Sequence, residues 1–141
     1  MHLPDVNFWL ALTFNRHPHH RAAVDWLDAS EPRLCHFCRV TEMGFLRLAT
    51  HVGVMGDDAV GMQEAWAKYD QTLTDERVGP LVAEPSGLTV LWRNHTQRRT
   101  RSHKLWTDAY LAAFAEAADL ELVTFDRGFT ALKVPKLTLL G

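Results

Sequence analysis

The sequence predicts an α/β fold of three layers, α/β/α, in which a central, mainly parallel sheet is covered by helices on both faces. Three observations carry that prediction. Short apolar runs alternate with helix-patterned stretches of about ten residues or more, as in successive β-α-β units. Two of the runs, one entering Asp5 and one entering Asp126, stop at an acid. The chain of 141 residues, 47% hydrophobic and 23% charged, describes one domain spanning residues 1–141 and excludes a disordered or fibrous protein.

The stretch Leu3 to Asp5 is a strand of minimal length, because only four residues precede the acid and Pro4 is unwelcome in a central strand. Val6 to Thr13 continues as an apolar helix. Pro18 to Ala29 places Ala22, Ala23, Trp26 and Leu27 on one helical stripe, with Pro18 suited to a first turn. Leu34 to Phe37 reads as a second strand, followed by a helix through Thr50 in which Val40, Met43, Phe45, Leu46 and Ala49 recur at helical spacing. Asp57 or Asp58 is a candidate cap for a helix through Met62, Ala65, Trp66 and Tyr69 to Leu73. Pro80 and Pro85 bracket another short run, Leu81 to Ala83, read as a third strand. Ser86 can cap a helix running into a basic segment, and the Ala-rich stretch Leu105 to Ala118 is strongly helical, with Ser102 or Thr107 as caps. Leu120 to Phe125 and Val134 to Leu140 read as the closing strands.

The formal charge of -2 conceals a division. Arg93, Arg98, Arg99, Arg101 and Lys104 fall together with no acid between them, a +5 segment that leaves -7 for the rest of the chain. Such a segment is either a solvated face or a patch that meets a polyanion. No apolar run approaches the roughly 18 residues of a membrane span, and Pro4 and Asp5 interrupt the N-terminus where a signal peptide would be apolar. A cytoplasmic protein with no membrane partner is the expectation.

Ligands of parallel sheets gather beyond the carboxyl ends of the strands, where Asp5 and Asp126 would meet. Glu42 and Asp108 each stand among apolar helical neighbours. Four converging carboxylates would repel and raise one another's pKa unless a cation neutralised them. Oxygen donors favour Mg²⁺ or Mn²⁺, which leave room for phosphate oxygens, activate water and stabilise the charge that develops on a phosphodiester. Each acid also has a plainer reading, Asp108 as a helix N-terminal charge and Glu42 as an ion-pair partner of Arg39 or Arg47.

Four blocks together resemble the PIN-domain ribonuclease toxins of the VapC type: Asp5-Val6-Asn7, Thr41-Glu42-Met43-Gly44-Phe45-Leu46-Arg47, Thr107-Asp108-Ala109-Tyr110-Leu111-Ala112, and Leu122-Val123-Thr124-Phe125-Asp126-Arg127-Gly128-Phe129. The resemblance spans nearly the whole chain, and the third and fourth blocks at their separation are its specific part. It implies a PIN-like fold in which Asp5, Glu42, Asp108 and Asp126 are catalytic acids around Mg²⁺ or Mn²⁺. Asp5 and Asp108 would be direct ligands, and Glu42 and Asp126 would act directly or through water. Asn7 and Thr124 fall where the family keeps polar helpers, although capping or turn formation also accounts for them. The resemblance further implies endonucleolytic cleavage of structured RNA, transfer or ribosomal, which inhibits translation and growth. A cognate VapB-type antitoxin and a homodimer complete the expectation. Arg93, Arg98, Arg99, Arg101 and Lys104 then become candidates for gripping RNA phosphates. Single-stranded RNA can also stack on Trp92 or Trp106, although the core is the commoner place for both tryptophans.

Three rival readings exist. Cys35 and Cys38 sit near a predicted strand-helix junction, where a helix N-terminus can activate a thiol for disulfide exchange; small buried hydrophobes are the commoner fate of such residues. The same cysteines with two of His17, His19 and His20 could bind zinc, although the spacing matches no finger pattern. A non-catalytic module with a PIN-like fold is the third, and the presence of all four acids argues against it.

Overall fold

The computed structural model describes residues 1–141 and has the predicted α/β architecture. Three parallel strands, β1 (His2–Pro4), β2 (Glu121–Thr124) and β3 (Leu137–Leu139), lie side by side in that order. Leu3 pairs with Leu122 and Pro4 with Val123, so the strand from the start of the chain is joined to one more than a hundred residues later. The middle of β2, Leu122 and Val123, is apolar because both faces of the strand are covered. Leu3 and Leu122 face a core shared with Leu111, Ala112 and Phe114, whereas Val123 faces one shared with Phe8, Trp9, Phe37 and Phe45.

Helix α1 (Val6–Thr13) follows β1 directly, and α2 (His20–Asp28), α3 (Arg39–Ala49) and α5 (Met62–Leu73) complete the layer on the Val123 side. A short α4 (Val52–Met55) and a 3-10 turn at Gly56–Asp58 lie between α3 and α5. On the opposite side α6 (Leu88–Thr96) packs against α7 (Leu105–Ala117). Aromatic contacts around Phe37 fix the first core: Trp9 lies flat on it with centroids 3.9 Å apart, and Tyr69 and Phe45 meet it edge-on. The indole N–H of Trp9 donates to the Pro4 carbonyl, which ties α1 back to the strand before it.

Two expected strands are corrected. The stretches around Leu34–Phe37 and Leu81–Ala83 are extended but not continuous strands: Cys35 bridges His2 and Val78, and Cys38 bridges Val82, each as an isolated parallel pair. Pro4 is tolerated for the same reason. The His2 amide donates toward Leu34, so the nitrogen of Pro4, two residues on, faces the same sparsely paired segment and its missing N–H interrupts no continuous ladder. Helix boundaries shift as well. Helix α2 begins at His20 rather than Pro18, and α5 begins after Gly61 rather than at a cap on Asp57 or Asp58, which lie in the 3-10 turn. Gly87, at φ 82°, precedes α6 where Ser86 was the expected cap, a backbone position that favours glycine. The last strand contracts to three residues, Leu137–Leu139.

The α1–α3 contact is the tightest in the layer. A Cβ placed on Gly44 would stand 2.6 Å from Cγ2 of Val6, a short side chain with little room to turn away. Gly44→Ala is expected to destabilise the fold by about 1–3 kcal/mol in urea unfolding, with Val6→Ala in the same chain recovering a large part of the loss.

Candidate active site

The sheet register assembles the site. Asp5 is the first residue beyond β1 and caps α1: its Oδ1 accepts from the Phe8 amide at 2.9 Å. Its Oδ2 accepts from the hydroxyl of Thr124, the last residue of β2, at 2.5 Å. The same Thr124 oxygen accepts from the Asp126 amide at 2.9 Å. Asp126 turns its own Oδ1 to the Gly128 amide and starts the 3-10 helix Arg127–Leu132. Asp108 arrives from the other layer, in the first turn of α7.

Electrostatics show that three of the acids share one region. Asp5 is only 5% exposed, and its pKa is raised to about 6 by burial first, with the charges of Asp126 and Asp108 adding to the shift and the bonds from Thr124 and Phe8 opposing it. Burial also raises the Asp108 carboxyl, which Lys104 counters and Asp126 reinforces. Asp126 moves the other way, held low chiefly by the Gly128 amide and then by Lys104. The Lys104 ammonium stands 3.1 Å from Asp126 Oδ2 and 3.9 Å from Asp108 Oδ2, and the acids, Asp126 first, raise its pKa.

Glu42 is not brought into this group. It lies in the first turn of α3, hydrogen-bonded to the guanidinium of Arg39 three residues earlier, and its charge, after burial, raises the pKa of Tyr69. Asp5, Asp108 and Asp126 interact through their charges, while Glu42 is paired with its helical neighbour Arg39. Asn7 is exposed in the first turn of α1 and makes no hydrogen bond, whereas Thr124 is buried between two of the acids. Of the basic residues, Arg93 is on α6 and Arg98, Arg99 and Arg101 lie in the loop between α6 and α7, all exposed and none ion-paired. Lys104 alone turns to the acids. Sequence reasoning grouped it with the phosphate-binding residues, yet its place four residues before Asp108 on a helix was the available signal.

The carboxylates border a common region without converging on one point, and no three His, Cys, Asp or Glu side chains are placed to hold an ion as they stand. Their chemistry nevertheless suits a hard divalent cation. The donors are all oxygen, the most buried acid is strained by two like charges, and an ammonium already occupies the space between the other two.

The cysteine readings are corrected. Both thiols are fully buried, and burial pushes Cys35 to about 11 and raises Cys38, the reverse of what an exchanging thiol needs. His17 accepts from the His19 amide, His20 is bonded to the Ala11 carbonyl and His19 stacks on Phe125, so the histidines serve the turn before α2.

Comparison with known proteins agrees with this geometry. A family model described as the PIN domain matches residues 3–135. Ribonuclease VapC41 of Mycobacterium tuberculosis is 44% identical over 145 residues, covering 100% of this chain and 99% of that protein. Among solved structures, Mycobacterium tuberculosis VapC20, a sarcin-ricin loop cleaving toxin, superposes with a TM-score of 0.64 at 19% identity, covering 93% of this chain and 94% of that one. A toxin-antitoxin complex from Klebsiella pneumoniae gives a TM-score of 0.61 at 18% identity, with 98% and 96% covered. The chain belongs to the PIN domain family, and within it to the VapC ribonuclease toxins of toxin-antitoxin systems. It is accordingly a hydrolase.

The raised Asp5 pKa has a measurable consequence in metal-free buffer. The folded protein holds the Asp5 proton up to about pH 6, while the unfolded chain releases it near 3.8, the ordinary value of an aspartate, so stability falls as pH rises through that window. Asp5→Asn keeps a capping side chain and removes the buried charge. In EDTA the variant is expected to be more stable than the natural protein at pH 7.5, by up to about 3 kcal/mol, with the difference vanishing toward pH 4.

Proposed function

We propose that the protein is a Mg²⁺- or Mn²⁺-dependent endoribonuclease that cuts structured RNA, transfer or ribosomal, and thereby inhibits translation and growth. The observation that carries this reading is the buried Asp5 carboxylate pressed against the charges of Asp108 and Asp126 at the carboxyl edge of a parallel sheet. Asp5 and Asp108 are the proposed direct ligands, with Asp126 and Glu42 contributing directly or through water. When bound, the cation supplies an activated water and a counter-charge for the phosphodiester. The chain's own groups prepare that site. Thr124 and the Phe8 amide fix the orientation of Asp5, Lys104 offsets the charge of Asp126 and Asp108, and the Gly128 amide keeps Asp126 ionised. Exposed, unpaired Arg93, Arg98, Arg99 and Arg101 are the proposed grip on RNA phosphates.

A VapB-type antitoxin that covers the site is the proposed partner, supported by the fold shared with the Klebsiella pneumoniae toxin-antitoxin complex. A homodimer and a cytoplasmic location of the single domain 1–141 belong to the same reading. No helix is long and apolar enough to cross a membrane.

Purified protein incubated with total cellular RNA and Mg²⁺ or Mn²⁺ is expected to give discrete cuts that disappear in EDTA. Asp108→Asn should lower the cleavage rate about 100-fold or more while leaving the circular dichroism spectrum unchanged. Cleavage by this variant at the natural rate would overturn the site assignment. Replacing Arg98, Arg99 and Arg101 together by Ala should weaken RNA binding and reduce the slope of log affinity against log salt by about 2. An unchanged slope would make the segment a solvated loop.

A further inference from the structure

A cavity of about 460 Å³ opens in the loop that joins α6 to α7, lined by Arg98, Arg101, Ser102, His103 and Trp106 among others. No acid lines it. Trp106 is 56% exposed, unusual for so large an apolar side chain, yet it is not loose. Trp92 donates its indole N–H to the Trp106 carbonyl at 2.9 Å and packs edge-on to the Trp106 ring, with centroids 6.2 Å apart. Trp92 is itself braced edge-on by Tyr110 at 5.5 Å, whose hydroxyl donates to Glu84 at 2.8 Å. The result is an exposed aromatic surface supported from behind. Arg98 commits only the Nε of its side chain, to the His95 carbonyl at 3.0 Å, and the Arg101 side chain has no hydrogen-bond or ionic partner, so all four terminal guanidinium hydrogens of each are free to meet an anion.

We propose that this cavity is a nucleotide subsite, in which Trp106 stacks on the base of an unpaired RNA residue close to the cut while Arg98 and Arg101 hold its phosphate. The proposal rests on the ribonuclease reading and adds to it the feature of the substrate that is recognised. Trp106 and Asp108 lie two positions apart in the first turn of α7, about 3 Å apart along the axis and about 200° around it. A strand drawn over the N-terminal end of that helix therefore meets Trp106 on one side and Asp108, with Lys104 beside it, on the other. Every base offers an aromatic face, so the subsite selects for an unstacked residue, as in a loop or bulge, rather than for a sequence. Positive charge without a stacking surface would hold a duplex equally well; the exposed indole favours the single strand.

The test compares full-length natural protein with Trp106→Ala and Trp106→Phe in EDTA, using an eight-residue oligoadenylate and an abasic oligonucleotide with the same number of phosphates. The natural protein is expected to prefer oligoadenylate, Trp106→Ala to lose roughly 5- to 150-fold in affinity for it with an unchanged salt slope, and Trp106→Phe to recover most of the loss. Affinity for the abasic probe should not change. Equal oligoadenylate affinity in all three proteins, or a parallel loss for the abasic probe, overturns the subsite. So does a Trp106→Ala variant that binds oligoadenylate normally but releases a co-expressed antitoxin, which would assign the surface to a protein partner. Metal-dependent cleavage by the natural protein, measured alongside, separates the two levels: persistent cleavage with no stacking effect removes only the subsite, whereas absent cleavage removes the ribonuclease reading and the subsite with it.

Discussion

The hydrogen bond from Thr124 to Asp5 is the contact on which the functional end of the molecule depends. It joins the residue after β1 to the last residue of β2 across a sequence separation of 119, and it forms only because the parallel register sets Pro4 opposite Val123. From that point the rest is arranged by short links. The Thr124 oxygen positions the Asp126 amide, Asp126 caps the following turn, and Asp5 caps α1. One hydroxyl thereby sets the spacing of two carboxylates that would otherwise move apart under their own repulsion. Burial of Asp5 opposes its ionisation, so the fold carries an unfavourable charge where the chemistry requires it.

Much of this was legible in the sequence, for reasons that differ between elements. β2 and α7 announce themselves because both faces of β2 and the middle of α7 are buried, leaving a short, largely apolar run and an Ala-rich helix. Asp5 and Asp126 were readable as a pair from their place at the ends of apolar runs. The segments around Cys35 and Val82 were apolar enough to read as strands, yet their pairing is decided by partners distant in the chain, and only isolated bridges form. Local composition cannot report that. Glu42 illustrates the same limit from the other side: its block was recognisable, but its pairing with Arg39 follows from helix geometry that brings residues three apart onto one face.

The +5 segment divides on folding into two kinds of cation. Lys104, flexible and held at the start of α7, turns inward to the carboxylates, while the four arginines remain in solvent. The division follows from chemistry as well as position, since an ammonium is a compact charge and a guanidinium fork is matched to phosphate. Charge that balances the acids and charge left in solvent are thus adjacent along the chain and separate in space. The aromatic brace of Trp92 and Tyr110 lies against the same loop, so the exposed cations are carried on a supported rather than a free segment.

The long separation between Asp5 and its partners also sets a timetable for synthesis. A nascent chain that has made α1 through α6 still lacks Asp108, Thr124 and Asp126, and β1 has no β2 to pair with. Non-local parallel pairing is slow to form and cannot begin until its later strand has left the ribosome. The site is consequently incomplete until nearly the full length of the chain has emerged, so the ribonuclease gains its carboxylates together and only at the end of synthesis.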